Sequence, residues 1–207
     1  MDEELDAAAR AAKRHREDRV LDSGALRALA HPLRVRMYDI LSQYGPQTAS
    51  SLAEMLGESS GSTSYHLRAL AKHDLIRERV EQGTGRERWW ERPEGGVSFA
   101  NPEAMNTPAG RAASQIVMTE FLRGRNDQLM AFVQRGFTGI DAEWQEATLI
   151  STGTSRLTPA QSEELGHKIM ALIDDAVDNY RNQTGENVRP VSIRADIFPL
   201  PDLGEKS

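Results

Sequence analysis

Apolar residues recur at steps of three and four from Leu26. Leu26, Leu29, Ala30, Leu33, Met37, Ile40 and Leu41 therefore fall on one helical face. Pro32 divides the run, because the residue before a proline is pushed out of the helical region. His31 is expected to end one short helix and Pro32 to open the next, which runs to about Gln43 and stops at Tyr44-Gly45-Pro46. Leu52, Ala53 and Leu56 predict a short helix over about 49–57, with Thr48 as its cap and Gly57 as its stop. A third helix is predicted from near Ser60. Thr63, Leu67, Leu70 and Ala71 share one of its faces, Ser62, Tyr65, Arg68, Ala69 and Lys72 point largely the other way, and His66 sits at the margin.

After Asp74 the period drops to two. Leu75 to Val80 and Arg86 to Glu91 predict two polar, alternating strands joined through Gly83-Thr84-Gly85, a β-hairpin that Gly95-Gly96 closes. Further on, 108–135 reads as a long helix that Pro108 starts, with Ile116, Met118, Phe121, Leu122, Leu129, Phe132 and Val133 in apolar positions. That helix is too apolar to stand alone and is expected to pack on its own module or on its symmetry mate. Thr158-Pro159-Ala160-Gln161 has a capping-box layout that opens another helix, ending before Gly185. Residues 147–152 and 191–197 read as strands on either side of it. At the other end, residues 2 to about 20 are alanine-rich and charge-laced and predict a helix, solvated or frayed, or else an arm that touches a partner subunit or DNA phosphates, with acids first and cations later as the helix dipole favours.

Composition narrows the function classes. The formal net charge of −6 over 207 residues argues against a protein that coats polyanions indiscriminately. Between residues 60 and 92, however, seven basic residues face five acidic ones, a local +2 in an acidic chain. There is no cysteine, which removes disulfides, thiolate metal sites and cysteine nucleophiles together. The first residues have no apolar stretch, so neither a signal peptide nor a membrane anchor is expected, and a soluble cytoplasmic protein is the default.

The third helix and the hairpin are where chemistry gathers. An α-helix fits the major groove of duplex DNA and offers donors and acceptors to base edges, while short hydroxyl side chains at its start let backbone N–H groups approach phosphate. The candidate DNA-contacting residues on the helix are Ser60, Ser62, Thr63, Ser64, Tyr65, His66, Arg68 and Lys72, with Arg86 and Arg88 of the hairpin as phosphate or minor-groove ligands.

These segments resemble ArsR-type winged helix-turn-helix regulators. Leu26-Arg27-Ala28-Leu29-Ala30-His31-Pro32-Leu33-Arg34-Val35-Arg36 is similar to that family's opening helix pair. Ser62-Thr63-Ser64-Tyr65-His66-Leu67-Arg68-Ala69-Leu70, followed by His73-Asp74-Leu75-Ile76, is similar to its recognition helix running into the first wing strand. The resemblance covers about a third of the chain. It implies a homodimer on a palindromic operator in double-stranded DNA, usually a repressor released by an effector. The chain departs from the metal-sensing members: it has no cysteine, its five histidines are dispersed, and His66 and His73 have no nearby third ligand, so no metal site and no cofactor are expected.

No enzyme is expected either. Glu143 with Glu146, and His167 with Glu163 and Glu164, are the groupings worth naming, and none has a nucleophile or a phosphate-binding glycine loop beside it. The sequence thus predicts an α+β, mostly helical protein. Residues 1–24 form an N-terminal helical arm, 25–96 a winged helix-turn-helix DNA-binding domain, and 97–207 a helix-strand-helix-strand module for dimerisation and possible effector binding. The competing reading is a winged helix that binds protein without recognising an operator. The Ser, Tyr, His and Arg side chains of the third helix favour base edges over a protein groove, which would want apolar anchors.

Overall fold

The computed structural model describes residues 19–80, 87–93, 95–98, 101–136 and 139–201. The N-terminal helix expected over residues 2 to about 20 lies outside the described residues as far as residue 18, as does the hairpin loop at 81–86. Two compact units divide the chain, one spanning Asp18–Ile150 and the other including the segment from Ser151. Among the described residues no helix is long and apolar enough to cross a membrane.

The first unit is built as the apolar spacing dictates. Helix α1, Ser23–Leu29, is capped by the Asp22 carboxylate, which accepts from the Ala25 N–H at 2.8 Å. Burial of Ala25, Leu26, Ala28 and Leu29 fixes its inner face. His31 adopts an extended conformation and caps α2, Pro32–Tyr44, with its Nδ1 accepting from the Leu33 N–H at 3.2 Å. The histidine before Pro32 is thus the boundary that the proline demands. Thr48 and Ser51 form a reciprocal capping box at the start of α3, Ala49–Leu56, and Gly57 ends it in the left-handed conformation (φ 68°). Helix α4, Ser60–Ala71, starts at the Ser59 hydroxyl, which accepts from the Ser62 N–H.

Strands are short. The stretch at Arg19–Val20, read from sequence as the tail of a helix, is instead strand β1, and it pairs in parallel with β5, Val97–Ser98. This pair brings the two ends of the head together, and the Asn101 amide donates to the Leu21 carbonyl beside it. The predicted hairpin forms as β3, Arg77–Glu78, antiparallel to β4, Trp89–Glu91. A third strand that periodicity does not reveal, β2 at Gln47–Thr48, pairs on the other side of β4 and gives the order β2-β4-β3. Trp90 lies at the centre of this sheet and is buried.

A single apolar cluster joins these parts, with Leu26, Leu29, Met37, Leu52, Leu67 and Leu70 fully buried at its heart. Helix α5, Pro102–Met105, leads into α6, Pro108–Arg135, the long helix expected from sequence. Ala113 and Val117 of α6 enter the same cluster, so its first half packs on α1 and α2. Among the described residues none after Val117 is buried. Short helix α7, Ala142–Glu146, follows.

In the second unit, α8, Pro159–Tyr180, starts at the Thr158–Gln161 capping box that the sequence announces. The strands expected at 147–152 and 191–197 do not form: neither segment pairs with another. Alternation makes a segment suitable for a sheet, but a ladder also needs a neighbouring strand to satisfy its N–H and C=O groups, and neither segment has one here.

Candidate nucleic-acid interface

Helix α4 is held from beneath and open above. Leu67 and Leu70 anchor it in the core, and the Thr63 hydroxyl donates to the Ala49 carbonyl at 2.8 Å, tying α4 to the first turn of α3. Thr63 is 0% exposed, so its expected place among DNA-contacting side chains is corrected: the hydroxyl is spent on the helix-to-helix junction.

His66 requires the second correction. It is 9% exposed, turned beneath the helix instead of outward. Its Nδ1 accepts from Arg34 Nε at 3.1 Å, and its ring lies 4.6 Å from that of His31. The accepted hydrogen bond fixes a neutral tautomer with the proton on Nε2. Burial holds the imidazole below the ordinary histidine range, with His31 and Arg34 adding in the same direction and Glu58 opposing them. Arg34 also donates to the Ala28 carbonyl at 2.7 Å, so one guanidinium braces α1, α2 and α4.

What remains outward is a coherent face. Tyr65 is 64% exposed and meets the edge of the His66 ring at 5.2 Å, which limits its swing. Ser60, Arg68 and Lys72 are exposed, and Ser62 and Ser64 are half-buried. The end of the helix is clamped from the chain's beginning, because the Arg19 guanidinium donates to the His73 and Asp74 carbonyls just past the last turn. These carbonyls belong to the turn that follows the helix, so the guanidinium satisfies turn acceptors and places a cation near the negative end of the helix dipole. Asp74 there takes a positive φ of 53°, the sharp reversal that sends the chain into β3.

The wing carries its charge in pairs. Arg77 donates to Glu91 at 2.7 Å, Arg79 lies 3.8 Å from the same carboxylate, and Arg88 lies 3.5 Å from Glu78. Pairs this exposed are worth little in water, so Arg88 is able to exchange Glu78 for a phosphate at small cost. Arg86 lies outside the described residues. Among the described residues no group of three His, Asp or Glu side chains is arranged to hold a metal ion.

Sequence reading missed Arg34, His31 and Arg19 as parts of this site. The distances between them in sequence, 32 residues from Arg34 to His66 and 54 from Arg19 to His73, leave no periodic trace.

A family model described as a helix-turn-helix domain matches residues 29–79, the stretch from the end of α1 through β3. A comparison with curated proteins finds no match. The matched stretch of the head is thus similar to helix-turn-helix domains, with α4 at the place of the second helix.

Proposed function

We propose that the chain is a sequence-specific transcriptional regulator of the ArsR type. In this reading it is a cytoplasmic homodimer on a palindromic operator, acting as a repressor that a non-thiolate effector releases. The observation that carries the proposal is the division of labour on α4: Thr63, His66, Leu67 and Leu70 hold the helix, while Tyr65, Arg68 and Lys72 leave it on the open side. Side chains with both hydrogen-bonding reach and positive charge suit base edges and phosphates together.

Dimerisation draws support from the second half of α6. Met118, Leu122 and Val133 are exposed there, and with Leu129 they recur at four- and seven-residue steps, the spacing of a helix-pairing stripe. Two half-sites one helical turn apart need two heads related by a two-fold axis. Release by an effector is carried by the resemblance, and the absence of cysteine rules out thiolate sensing. Gel-shift titration of an operator selected from random duplexes tests the proposal: a two-step or cooperative shift is expected, and uniform binding to every duplex would refute it.

A further inference from the structure

A small cleft opens where β1, the turn between α4 and β3, and the chain leaving β4 come together. Arg19, Tyr38, Asp74, Leu75, Arg92 and Val97 line it, and its volume is about 40 Å³. A buried water needs about 10–15 Å³, so about three water-sized groups fit.

Both arginines lack a charged partner. Arg19 donates to the His73 and Asp74 carbonyls, and Arg92 to the Gly95 carbonyl at 2.7 Å and to the Tyr38 hydroxyl at 3.5 Å. Among the described residues no carboxylate forms an ion pair with either guanidinium, and each keeps N–H groups to give. Tyr38 is 2% exposed, and its ring meets that of Phe121 of α6 edge-on. Its oxygen accepts from Arg92, while its own proton reaches no acceptor among the described residues. Burial pushes the phenol above its ordinary range, with Arg92 and then Arg19 opposing, so it stays protonated and remains a donor. A buried donor without an acceptor carries a desolvation penalty, and this one lies at the cleft that the two cations line.

We propose that this cleft binds a short monocarboxylate and is the seat of the effector. Two guanidiniums and one acid, Asp74, line it, a sum of one positive charge that one carboxylate balances. The guanidiniums and the phenol supply donors to the carboxylate oxygens, and Leu75 and Val97 give an apolar wall to a stub of about two carbons. A phosphate would press oxygens against that wall, where no donor waits.

Occupancy acts on α4. A guanidinium holds a carboxylate more strongly than it holds a neutral carbonyl, so the ligand draws Arg19 away from His73 and Asp74 and loosens the turn after the helix. Arg92 directly follows the wing strand β4, so one small molecule pulls on both parts that the head offers to DNA. The effector role rests on the regulator reading above, and carboxylate binding does not.

Titration of sodium propionate into the full chain, followed by amide NMR against sodium chloride at matched ionic strength, tests the inference. Saturable shifts should gather at residues 19, 38, 74–75, 92 and 95–97. Arg92→Gln should weaken binding by at least about tenfold and Tyr38→Phe by about threefold, with the spectrum away from the cleft unchanged in both. Saturating propionate should lower operator affinity at least about fivefold in the wild type and leave it unmoved in Arg92→Gln. Shifts that never saturate, or equal propionate affinity in the wild type and both variants, would overturn the inference. So would saturation of the same amides by sodium phosphate and not by propionate, or full binding with operator affinity unmoved. If selection recovers no operator, the regulator reading falls, and the propionate titration still decides whether the cleft is a carboxylate site.

Discussion

Arg34 and His66 meet across α2 and α4, where the guanidinium Nε donates to the imidazole Nδ1 at 3.1 Å. The same arginine reaches the Ala28 carbonyl, so one side chain sets the seat of the helix that carries Tyr65 and Arg68. Arg34→Ala leaves two partly buried acceptors without this donor. A loss of about 1–3 kcal/mol in unfolding free energy is expected by denaturant titration. Arg34→Lys should recover part of it, because an ammonium reaches one acceptor but lacks the planar fork.

The pH response of the head follows from His66. Its folded-state pKa is depressed, mainly by burial, so the folded state favours the neutral ring. The unfolded chain titrates near the ordinary value of about 6.5. Stability from the neutral ring is fully present above that value and declines as pH falls from it toward the depressed folded pKa. His66→Gln keeps an acceptor without titrating. Chemical denaturation at about pH 7.5 and about pH 5.5 should show the wild type losing more stability than the variant on acidification. Equal losses would contradict the assignment.

Thr63 separates stability from recognition. Thr63→Val keeps the shape and removes the bond to the Ala49 carbonyl, with an expected cost of about 1 kcal/mol in thermal unfolding. Affinity of the folded variant for DNA should stay within about twofold of wild type, because the side chain has no exposed surface. A variant of unchanged stability and much weaker binding would restore Thr63 to the contact set.

Gly110 marks the tightest approach of α5 and α6. A Cβ there would overlap the backbone carbonyl of Ala104, so Gly110→Ala must push the two helices apart. Helix propensity alone would favour alanine by about 1 kcal/mol. Net destabilisation of about 1–3 kcal/mol is expected in a melting experiment, and a stabilised variant would show that α5 yields freely.

Helix boundaries were legible where the signal is local. His31-Pro32, the Thr48 cap with Gly57, and Thr158-Pro159 with Gln161 each act within a turn of chain, and each forms as read. The strands at 147–152 and 191–197 were not, because alternation reports suitability for a sheet and says nothing about whether a neighbour arrives. β1 and β2 escaped notice for the opposite reason: two residues are too few to show a period, and their partners lie about 40 or more residues away. At the candidate site, exposure was read correctly for Tyr65, Arg68 and Lys72, which sit squarely opposite Leu67 and Leu70. His66, at the margin of the helical wheel, was misplaced because Arg34 and His31 draw it inward, and no pattern within α4 encodes them.

Selection from random duplexes with the full chain, run in parallel on Tyr65→Ala and Arg68→Ala, tests the central claim most directly. The wild type should enrich a motif with two symmetric half-sites. Each variant should bind that motif about 1–3 kcal/mol more weakly and relax preference at the same positions in both halves. Enrichment of no motif by the wild type, or of an identical motif at equal affinity by both variants, would contradict the assignment of α4 as the reading helix.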